Sequence, residues 1–258
     1  MNIAQGVILG VVQGLTEFLP VSSSGHLVIV SKLLMLPANV PFDIALHIAT
    51  LLAVSIFFIG DILLMIRAVF LTRDAKDPYF RLAMLIIIAS IPTAIIGFTL
   101  KDIFEEMFSS VFAVGFFLML TGILILLAET YGKARKGIDK ISFVDSVIIG
   151  IAQGCAIAPG LSRSGTTISA SLLLGLERKL ALRFSFLLSI PAILGASIFK
   201  SKAILHNISP QLLAGFIAAA ISGYIAIWLF MKMIEKKSIR IFAYYCLIAG
   251  AVSIILAR

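Results

Sequence analysis

The stretch Glu17-Phe18-Leu19-Pro20-Val21-Ser22-Ser23-Ser24-Gly25-His26 interrupts an otherwise apolar sequence with a carboxyl group, three hydroxyls and an imidazole. Apolar segments lie on both sides of it, at 3–18 and 27–36. Within a membrane, irregular backbone and ionisable side chains are tolerated only where they line a protein cavity or a wet site. The stretch therefore predicts an enclosed polar site between two apolar helices.

The composition of the whole chain predicts a polytopic α-helical membrane protein. Of its 258 residues, 60% are apolar and 13% are charged, and the mean hydropathy is +1.12. A soluble core cannot hide that much apolar surface. The first apolar segment has neither a basic n-region nor a cleavage pattern, so we expect it in the mature protein. Cys155 and Cys246 lack metal-type spacing and are expected to serve in packing.

Ten apolar segments follow one another along the chain, near 3–18, 27–36, 42–66, 80–100, 108–128, 143–158, 166–176, 180–199, 210–231 and 239–257. Six of them are long enough to cross a hydrocarbon core of ~30 Å, which needs about 20 residues. The segments 27–36 and 166–176 are too short, and each follows a break rich in Pro, Gly and Ser. We therefore pair each with its predecessor in a re-entrant helix–loop–helix hairpin.

The two predicted hairpins repeat each other at an offset of 140 residues. Segment 6–36 matches segment 146–176 at 12 of 31 positions, including a Gln-Gly and a Ser-x-Ser-Gly frame. Composition alone would give about three to five matches. Each copy holds one hairpin and three spans, so the second copy must be inverted relative to the first. The predicted architecture is one membrane domain, 1–258, with an inverted-topology repeat at about 1–129 and about 141–258.

The distribution of basic residues predicts the orientation of the chain. Fifteen of the 21 Lys and Arg residues fall in loops on one side, and Arg163 lies in the second hairpin loop. The other side has five, which are Lys32, Lys101, Lys200, Lys202 and Arg258. The positive-inside rule makes the first side cytoplasmic and places both termini outside. The net charge of +8 is explained in this way, so we expect no nucleic-acid partner.

The first hairpin carries the groups for acid–base chemistry. Gln13 and Glu17 are four residues apart and share one helix face, a turn before the break at Pro20. A carboxylate near a helix C-terminus in a membrane requires a nearby cation. The serines and glycine at 22–25 precede a short helix, whose free N–H groups bind anions.

The chain has three histidines, and they differ in their surroundings. His26 lies beside the carboxylate and the hydroxyls, so it is the first choice for an acid or base. His47 lies inside a predicted span, where it could reach the centre or serve only in packing. His206 lies in a predicted outer loop and needs no role.

The second hairpin repeats the frame with different chemistry. Arg163 occupies the position of Ser23, Thr166 that of His26, and an isoleucine that of Glu17. An arginine is costly in a membrane, and either a bound anion or Glu17 across the pseudo-twofold would explain it. A guanidinium next to hydroxyls and a helix start suits phosphate oxygens. The two loops together predict phosphoryl transfer inside a membrane.

These motifs resemble the signatures of the undecaprenyl-diphosphate phosphatase family, the bacitracin-resistance type. The motifs are Gln13-x-x-x-Glu17, the run from Pro20 to His26, and Pro159-Gly160-x-Ser162-Arg163-Ser164-Gly165-x-Thr167, and the resemblance spans essentially the whole chain. It implies hydrolysis of the C55 polyprenyl diphosphate to its monophosphate and inorganic phosphate, which regenerates the lipid carrier of cell-wall sugars. It also implies a site toward the outer side of the cytoplasmic membrane and a divalent cation, Mg²⁺ or Ca²⁺.

The resemblance also implies roles for particular residues. The catalytic residues would be Glu17, Ser23, His26 and Arg163, and the substrate-binding residues would be Gln13, Ser22, Ser24, Gly25, Ser162, Ser164, Gly165, Thr166 and Thr167. Glu17 and Gln13 would hold the cation, although many members have Glu in place of Gln13, and the amide keeps an oxygen ligand but loses a charge. The nucleophile is Ser23 with His26 as its base, His26 itself, or an activated water, and we rank the serine route first.

Two other functions fit parts of the pattern. A flippase or transporter of a phosphorylated polyprenyl lipid would use the same inverted repeat and the same arginine without cleaving its substrate. An intramembrane serine protease would use a Ser-Gly pair and a histidine but would leave Arg163 without a role. The expected partners are the polyprenyl diphosphate and membrane lipids, and a homodimer is considered as well.

Overall fold

In the computed structural model of the protein, the described residues are 1–37, 39–108, 110–198, 209–234 and 237–256. Within these ranges the chain forms twelve α-helices and no strand, which confirms the predicted all-α class. The helices are α1 Ile3–Phe18, α2 Ser23–Leu33, α3 Val40–Phe57, α4 Ile59–Arg67, α5 Pro78–Thr99, α6 Lys101–Met107, α7 Val111–Tyr131, α8 Phe143–Cys155, α9 Arg163–Leu173, α10 Arg178–Ile198, α11 Pro210–Ile234 and α12 Arg240–Leu256.

Five of these helices, α3, α5, α7, α10 and α11, are long and apolar enough to cross a membrane. They confirm the expected polytopic membrane protein. The sixth predicted span, 239–257, corresponds to α12, which has 17 residues. At about 1.5 Å per residue, α12 is shorter than a hydrocarbon core of ~30 Å. It therefore belongs with the shorter apolar helices α1 and α8.

The predicted span 42–66 is divided in the structure between α3 and α4. Phe58 stands between the two helices with φ −101° and ψ 21°. Gly60 is a poor helix former, and Asp61 lies in the first turn of α4, where the helix dipole favours negative charge. Asp61 also forms an ion pair with Arg183 of α10. These two residues favour the start of a new helix over the continuation of α3.

The two hairpins have matching local structures at the offset of 140 residues. The first helices, α1 and α8, begin at equivalent positions, and α2 and α9 both begin and end at equivalent positions. The caps also match, since Ser22 Oγ accepts the N–H of Gly25 at 3.3 Å and Ser162 Oγ accepts that of Gly165 at 3.1 Å. The inverted orientation of the halves and their boundaries remain predictions.

The first helix of each hairpin packs on a long helix from the other half of the chain, α1 on α11 and α8 on α5. Glycines at equivalent positions permit both contacts. A β-carbon on Gly10 would overlap the carbonyl oxygen of Gly215, and a β-carbon on Gly150 would overlap that of Ala89. Small residues of this kind let helix backbones approach closely in membranes. Helix α7 packs on α12 and contacts both α2 and α9, so it lies beside both hairpins.

The predicted orientation depends partly on positions outside the described residues. Lys200, Lys202, Lys236 and Arg258, which enter the count of basic residues, are among them, and so is His206. The placement of both termini outside the membrane therefore remains a prediction.

Candidate active site

The loops of the two hairpins meet beside α7. Ser164 of α9 donates a hydrogen bond from Oγ to the carbonyl oxygen of Leu19 in the first loop, at 2.9 Å. A β-carbon on Gly25 would lie 3.5 Å from Gly160 Cα in the second loop and 3.2 Å from Val114 of α7. The tips of the two hairpins therefore enclose one common site.

Glu17 lies at the centre of this site, in the last turn of α1, with a side chain that is 6% exposed. Its Oε1 accepts a hydrogen bond from Arg163 Nη2 at 2.6 Å. Its Oε2 accepts from Ser23 Oγ at 2.5 Å and from Gln13 Nε2 at 2.9 Å. Donors of this kind are the partners of an ionised carboxylate, and they offset the cost of its burial. The sequence allowed two explanations for Arg163, a bound anion or Glu17, and this contact is the second.

Arg163 is the first residue of α9, and its side chain is 15% exposed. Besides the bond to Glu17, its Nη1 donates to the Ser185 carbonyl oxygen of α10 at 3.5 Å. Thr167 supports this arrangement, since its Oγ1 donates to the Arg163 carbonyl oxygen at 2.8 Å and lies 2.6 Å from Ser185 Oγ. A guanidinium has five N–H donors, so further donors remain for the oxygen atoms of a phosphate.

Ser23, the first residue of α2, is half-buried and follows a strained residue. Ser22 has φ 68°, in the left-handed region that residues other than glycine rarely adopt. In the second hairpin, the equivalent Ser162 has φ −67°, and the positive φ of +92° falls on Gly160. Strain of this kind is concentrated in functional loops, and here it directly precedes the serine that contacts Glu17.

Both imidazole nitrogens of His26 bond to groups other than Ser23. Nδ1 lies 2.7 Å from the Ser22 carbonyl oxygen, and Nε2 lies 2.5 Å from the Tyr245 hydroxyl of α12. The two rings are also stacked, with centroids 5.6 Å apart and planes at 14°. Because a carbonyl oxygen only accepts, Nδ1 carries the hydrogen, and in the neutral ring Nε2 then accepts from Tyr245. The structure thus pairs Ser23 with Glu17, whereas the serine route that we ranked first requires a pair with His26.

His47 of α3 reaches the site from outside the two hairpins. Its Nε2 lies 3.7 Å from Glu17 Oε2, and its Nδ1 lies 2.8 Å from the Asp43 carbonyl oxygen. From the sequence, packing and a central position were equally open for His47, and the structure places it at the centre. The sequence showed only that His47 lies inside a predicted span. It did not show which face of this helix contacts α1.

The remaining residues expected to bind substrate lie in the same loops. Ser22 Oγ and Ser24 Oγ are 3.3 Å apart, and the equivalent Ser162 Oγ and Ser164 Oγ are 3.2 Å apart. These four hydroxyls therefore have hydrogen-bond partners within their own loops. Thr166 differs, because its buried hydroxyl has no hydrogen-bond partner among the described residues.

The oxygen atoms beside Glu17 fit a hard divalent cation in part. Gln13 Oε1 is buried and has no hydrogen-bond partner within the described part of the chain. Carboxylate and amide oxygens are ligands that Mg²⁺ and Ca²⁺ accept. Over the same residues, no group of three or more His, Cys, Asp and Glu side chains could hold a metal ion. The Gln13 amide turns Nε2, and not Oε1, toward Glu17, so a cation held by both residues would require this amide to turn over, and it would take its other ligands from substrate and water.

Together, the fold and the site define a polytopic membrane protein with a buried acid–arginine pair where two helical hairpins meet. Residues 6–252 match the family of the bacitracin resistance protein BacA, and the chain belongs to this family.

The chain is also similar to curated proteins over almost its whole length. An undecaprenyl-diphosphatase of Methanosphaera stadtmanae is 44% identical over 272 residues, which cover 100% of this chain and 99% of that protein. An undecaprenyl-diphosphatase of Carboxydothermus hydrogenoformans is 43% identical, over 99% of this chain and 98% of that protein. The family resemblance drawn from the motifs is thus confirmed.

Proposed function

We propose that this protein hydrolyses undecaprenyl diphosphate to undecaprenyl phosphate and inorganic phosphate. Membership of the BacA family and the names of its relatives support this activity, its part in recycling the lipid carrier, and bacitracin resistance. The observation that carries the mechanism is that Glu17 joins the Ser23 hydroxyl of one hairpin to the Arg163 guanidinium of the other.

Arg163 binds the diphosphate in this proposal. Within the part of the chain that the structure describes, its N–H groups other than those bonded to Glu17 and Ser185 are available to phosphate oxygens, and a guanidinium binds such oxygens with two parallel bonds. The first turns of α2 and α9 begin at the same site, and helix N-termini favour anions. Positive charge from Arg163 then stabilises the additional negative charge of the transition state.

Ser23 is the nucleophile and Glu17 is its base. The separation of 2.5 Å between Ser23 Oγ and Glu17 Oε2 lets the carboxylate take the hydroxyl proton while Oγ attacks the terminal phosphorus. The bond from this phosphorus to the bridging oxygen breaks, and undecaprenyl phosphate leaves. Water then attacks the phosphoserine and releases inorganic phosphate.

Two alternative routes use His26 as the nucleophile or as the base for a water molecule. In both, the Ser23 hydroxyl has no covalent role. The bonds from His26 to Ser22 and Tyr245 would have to open for either route. For this reason we rank Ser23 with Glu17 first.

A divalent cation, Mg²⁺ or Ca²⁺, is part of the proposal. Gln13 Oε1 and the Glu17 carboxylate would hold it together with oxygens of the substrate. When bound, such an ion neutralises negative charge on the phosphates. The amide of Gln13 adds no negative charge of its own, so its affinity for the ion would depend on the diphosphate.

The protein acts in the cytoplasmic membrane in this proposal, with both termini outside and the site toward the outer side. The excess of basic residues on one side of the predicted spans supports this orientation. The proposed partners are the polyprenyl diphosphate, the surrounding lipids and a second copy of the chain in a homodimer.

Phosphate release from undecaprenyl diphosphate in vesicles that contain the purified protein tests the activity. We expect release with Mg²⁺ or Ca²⁺ and a strong decrease with EDTA. Ser23→Ala should reduce kcat by about 100-fold or more, whereas Ser31→Ala, two turns further along α2, should remain close to the unmodified protein. Bound substrate without phosphate release under any cation would contradict the proposal and favour a lipid transporter.

A further inference from the structure

Ser185 of α10 lies outside both hairpins and outside every motif that predicted the site. Its side chain is fully buried, and both its carbonyl oxygen and its hydroxyl contact α9. The carbonyl oxygen accepts a hydrogen bond from Arg163 Nη1 at 3.5 Å, and Oγ lies 2.6 Å from Thr167 Oγ1. One of these two contacts is therefore with the residue that binds the diphosphate in the proposed function.

The hydroxyl of Ser185 also reaches Arg163, through Thr167. Thr167 Oγ1 donates its hydrogen to the Arg163 carbonyl oxygen at 2.8 Å. A hydroxyl has only one hydrogen to donate, so the hydrogen between the two hydroxyls comes from Ser185 Oγ. The bonds run from Ser185 to Thr167, from there to the Arg163 backbone, and from the guanidinium back to the Ser185 carbonyl oxygen. This closed ring joins both ends of Arg163 to one residue of α10.

The three bonds of the ring differ in strength. The bond from Arg163 Nη1, at 3.5 Å, is the longest and the weakest. The two bonds between hydroxyls and backbone are short, and both Thr167 and Ser185 are fully buried. Buried hydroxyl groups are costly without partners. The two short bonds therefore set the separation of α9 and α10 at which the third bond forms.

A comparison with the first hairpin separates this ring from ordinary helix packing. A Thr hydroxyl commonly bonds to the carbonyl oxygen four residues earlier in its helix, and that bond alone needs no partner on another helix. At the equivalent positions of the first hairpin, Ser23 and Leu27 replace Arg163 and Thr167. The second hydroxyl thus occurs in the hairpin that has the arginine, and there it is bonded to Ser185.

The contact at Nη1 matters because the guanidinium is a planar group. Glu17 Oε1 holds Nη2 at 2.6 Å, and a guanidinium held at one nitrogen can still turn about that bond. A second contact, at Nη1, fixes its plane. Two parallel bonds to a phosphate require the correct plane. Arg163 is also the first residue of α9, where the helix dipole disfavours positive charge, and the Ser185 carbonyl oxygen offsets part of this cost.

We propose that Ser185 is a positioning residue, which holds the Arg163 guanidinium in the plane that binds the diphosphate. The inference rests on the proposed function. Ser185 itself does not touch the substrate in this scheme, because its hydroxyl acts through Thr167 and its carbonyl oxygen acts through Nη1.

Ser185→Ala and a matched control on the same helix test the inference by phosphate release. Ser189, one turn later on α10, is also fully buried, and its hydroxyl bonds only to the Phe186 carbonyl oxygen of its own helix. Each substitution removes one buried hydroxyl from α10, so thermal unfolding should change to a similar extent. Ser185→Ala should lower kcat/KM about fivefold, the effect of one hydrogen bond. Ser189→Ala should keep the kcat/KM of the unmodified protein.

Two further comparisons distinguish positioning from a purely structural role. Thr167→Val should lower kcat/KM about as much as Ser185→Ala, and Thr167→Ser, which keeps the hydroxyl, should be more active than Thr167→Val. Arg163→Lys replaces the planar fork with a single ammonium group, which has no plane to orient. In Arg163→Lys protein, Ser185→Ala should therefore have little further effect on kcat/KM.

The outcomes separate the inference from the proposed function. If the unmodified protein releases no phosphate, the proposed function is wrong, and the affinity for undecaprenyl diphosphate tests Ser185 without turnover, with a fivefold loss expected in Ser185→Ala and none in Ser189→Ala. If it releases phosphate, equal kcat/KM in these two variants overturns the inference alone. An undiminished effect of Ser185→Ala in Arg163→Lys protein also overturns it, because Ser185 would then not act through the arginine.

Discussion

The two hairpins share a backbone design but carry opposite chemistry. Both have a capping serine before the short helix, and these helices begin 140 residues apart. The first hairpin has Glu17 where the second has Ile157, and it has Ser23 where the second has Arg163. An ionised group on either hairpin alone would be costly within a membrane. Two similar helix starts therefore meet at one site, and they carry charges that are stable only together.

Separating these two charges should have the largest effect. Arg163→Ala leaves Glu17 buried without its cation, so we expect the free energy of unfolding to fall by about 3–5 kcal/mol. It also removes the main phosphate-binding group, so kcat should fall by about 10²- to 10³-fold. Thermal unfolding in detergent and phosphate release measure the two effects.

The double variant Glu17→Ala, Arg163→Ala provides the control for this prediction. It removes both charges, so it should recover most of the lost stability but none of the activity. A single Arg163→Ala variant with unchanged unfolding would show that the ion pair does not hold the hairpins together.

The glutamines at equivalent positions test whether the residues that support the general base belong to the first hairpin alone. Gln13 donates to Glu17 at 2.9 Å, whereas Gln153 donates to Thr93 and to the Leu188 carbonyl oxygen, both at 3.4 Å. Gln13→Ala should lower kcat about tenfold through the loss of a bond to a charged group. Gln153→Ala should change stability alone. Equal losses of kcat would contradict the division of roles.

Replacement of the Gln13 amide by a carboxylate tests whether this position holds a cation. If Gln13 Oε1 is a cation ligand, Gln13→Glu should keep or raise activity and lower the cation concentration required. An inactive variant would instead identify the amide as a neutral hydrogen-bond donor to Glu17. Titration of phosphate release with Mg²⁺ and Ca²⁺ distinguishes the two results.

A smaller effect is expected where a tyrosine of α12 bonds to the histidine of the first hairpin. Tyr245 donates to His26 at 2.5 Å, whereas Thr166, at the equivalent position of the second hairpin, has no hydrogen-bond partner in the described residues. Tyr245→Phe keeps the stacked ring and removes one hydrogen bond, worth about 1 kcal/mol, so activity should change about fivefold. Tyr244→Phe, on the exposed neighbour, is the matched control. Equal activity in both variants would mean that the position of His26 does not depend on this bond.

The sequence predicted the elements of the fold better than their contacts. Apolar length and the spacing of Ser-x-Ser-Gly located both hairpins, because caps and breaks are local properties. The division at Phe58 was missed, since a poor helix former such as Gly60 is often tolerated within an apolar span. The positions of His26 and His47 depend on which faces of α12, α3 and α1 meet. Such contacts join distant segments and leave no mark in either segment alone.

An effect on stability alone is expected from the backbone strain that distinguishes the two loops. Ser22 and Ser162 cap equivalent helices, and each hydroxyl lies near the serine two positions later. Ser22→Gly and Ser162→Gly therefore lose the same cap and gain the same freedom in the unfolded chain. They differ in φ, which is 68° at Ser22 and −67° at Ser162, so only Ser22→Gly relieves strain. We expect Ser22→Gly to be more stable than Ser162→Gly by about 1–2 kcal/mol, as measured by thermal unfolding. Equal stabilities would mean that the left-handed conformation of Ser22 costs nothing. The backbone at Ser22 would then be no evidence for a functional loop before Ser23.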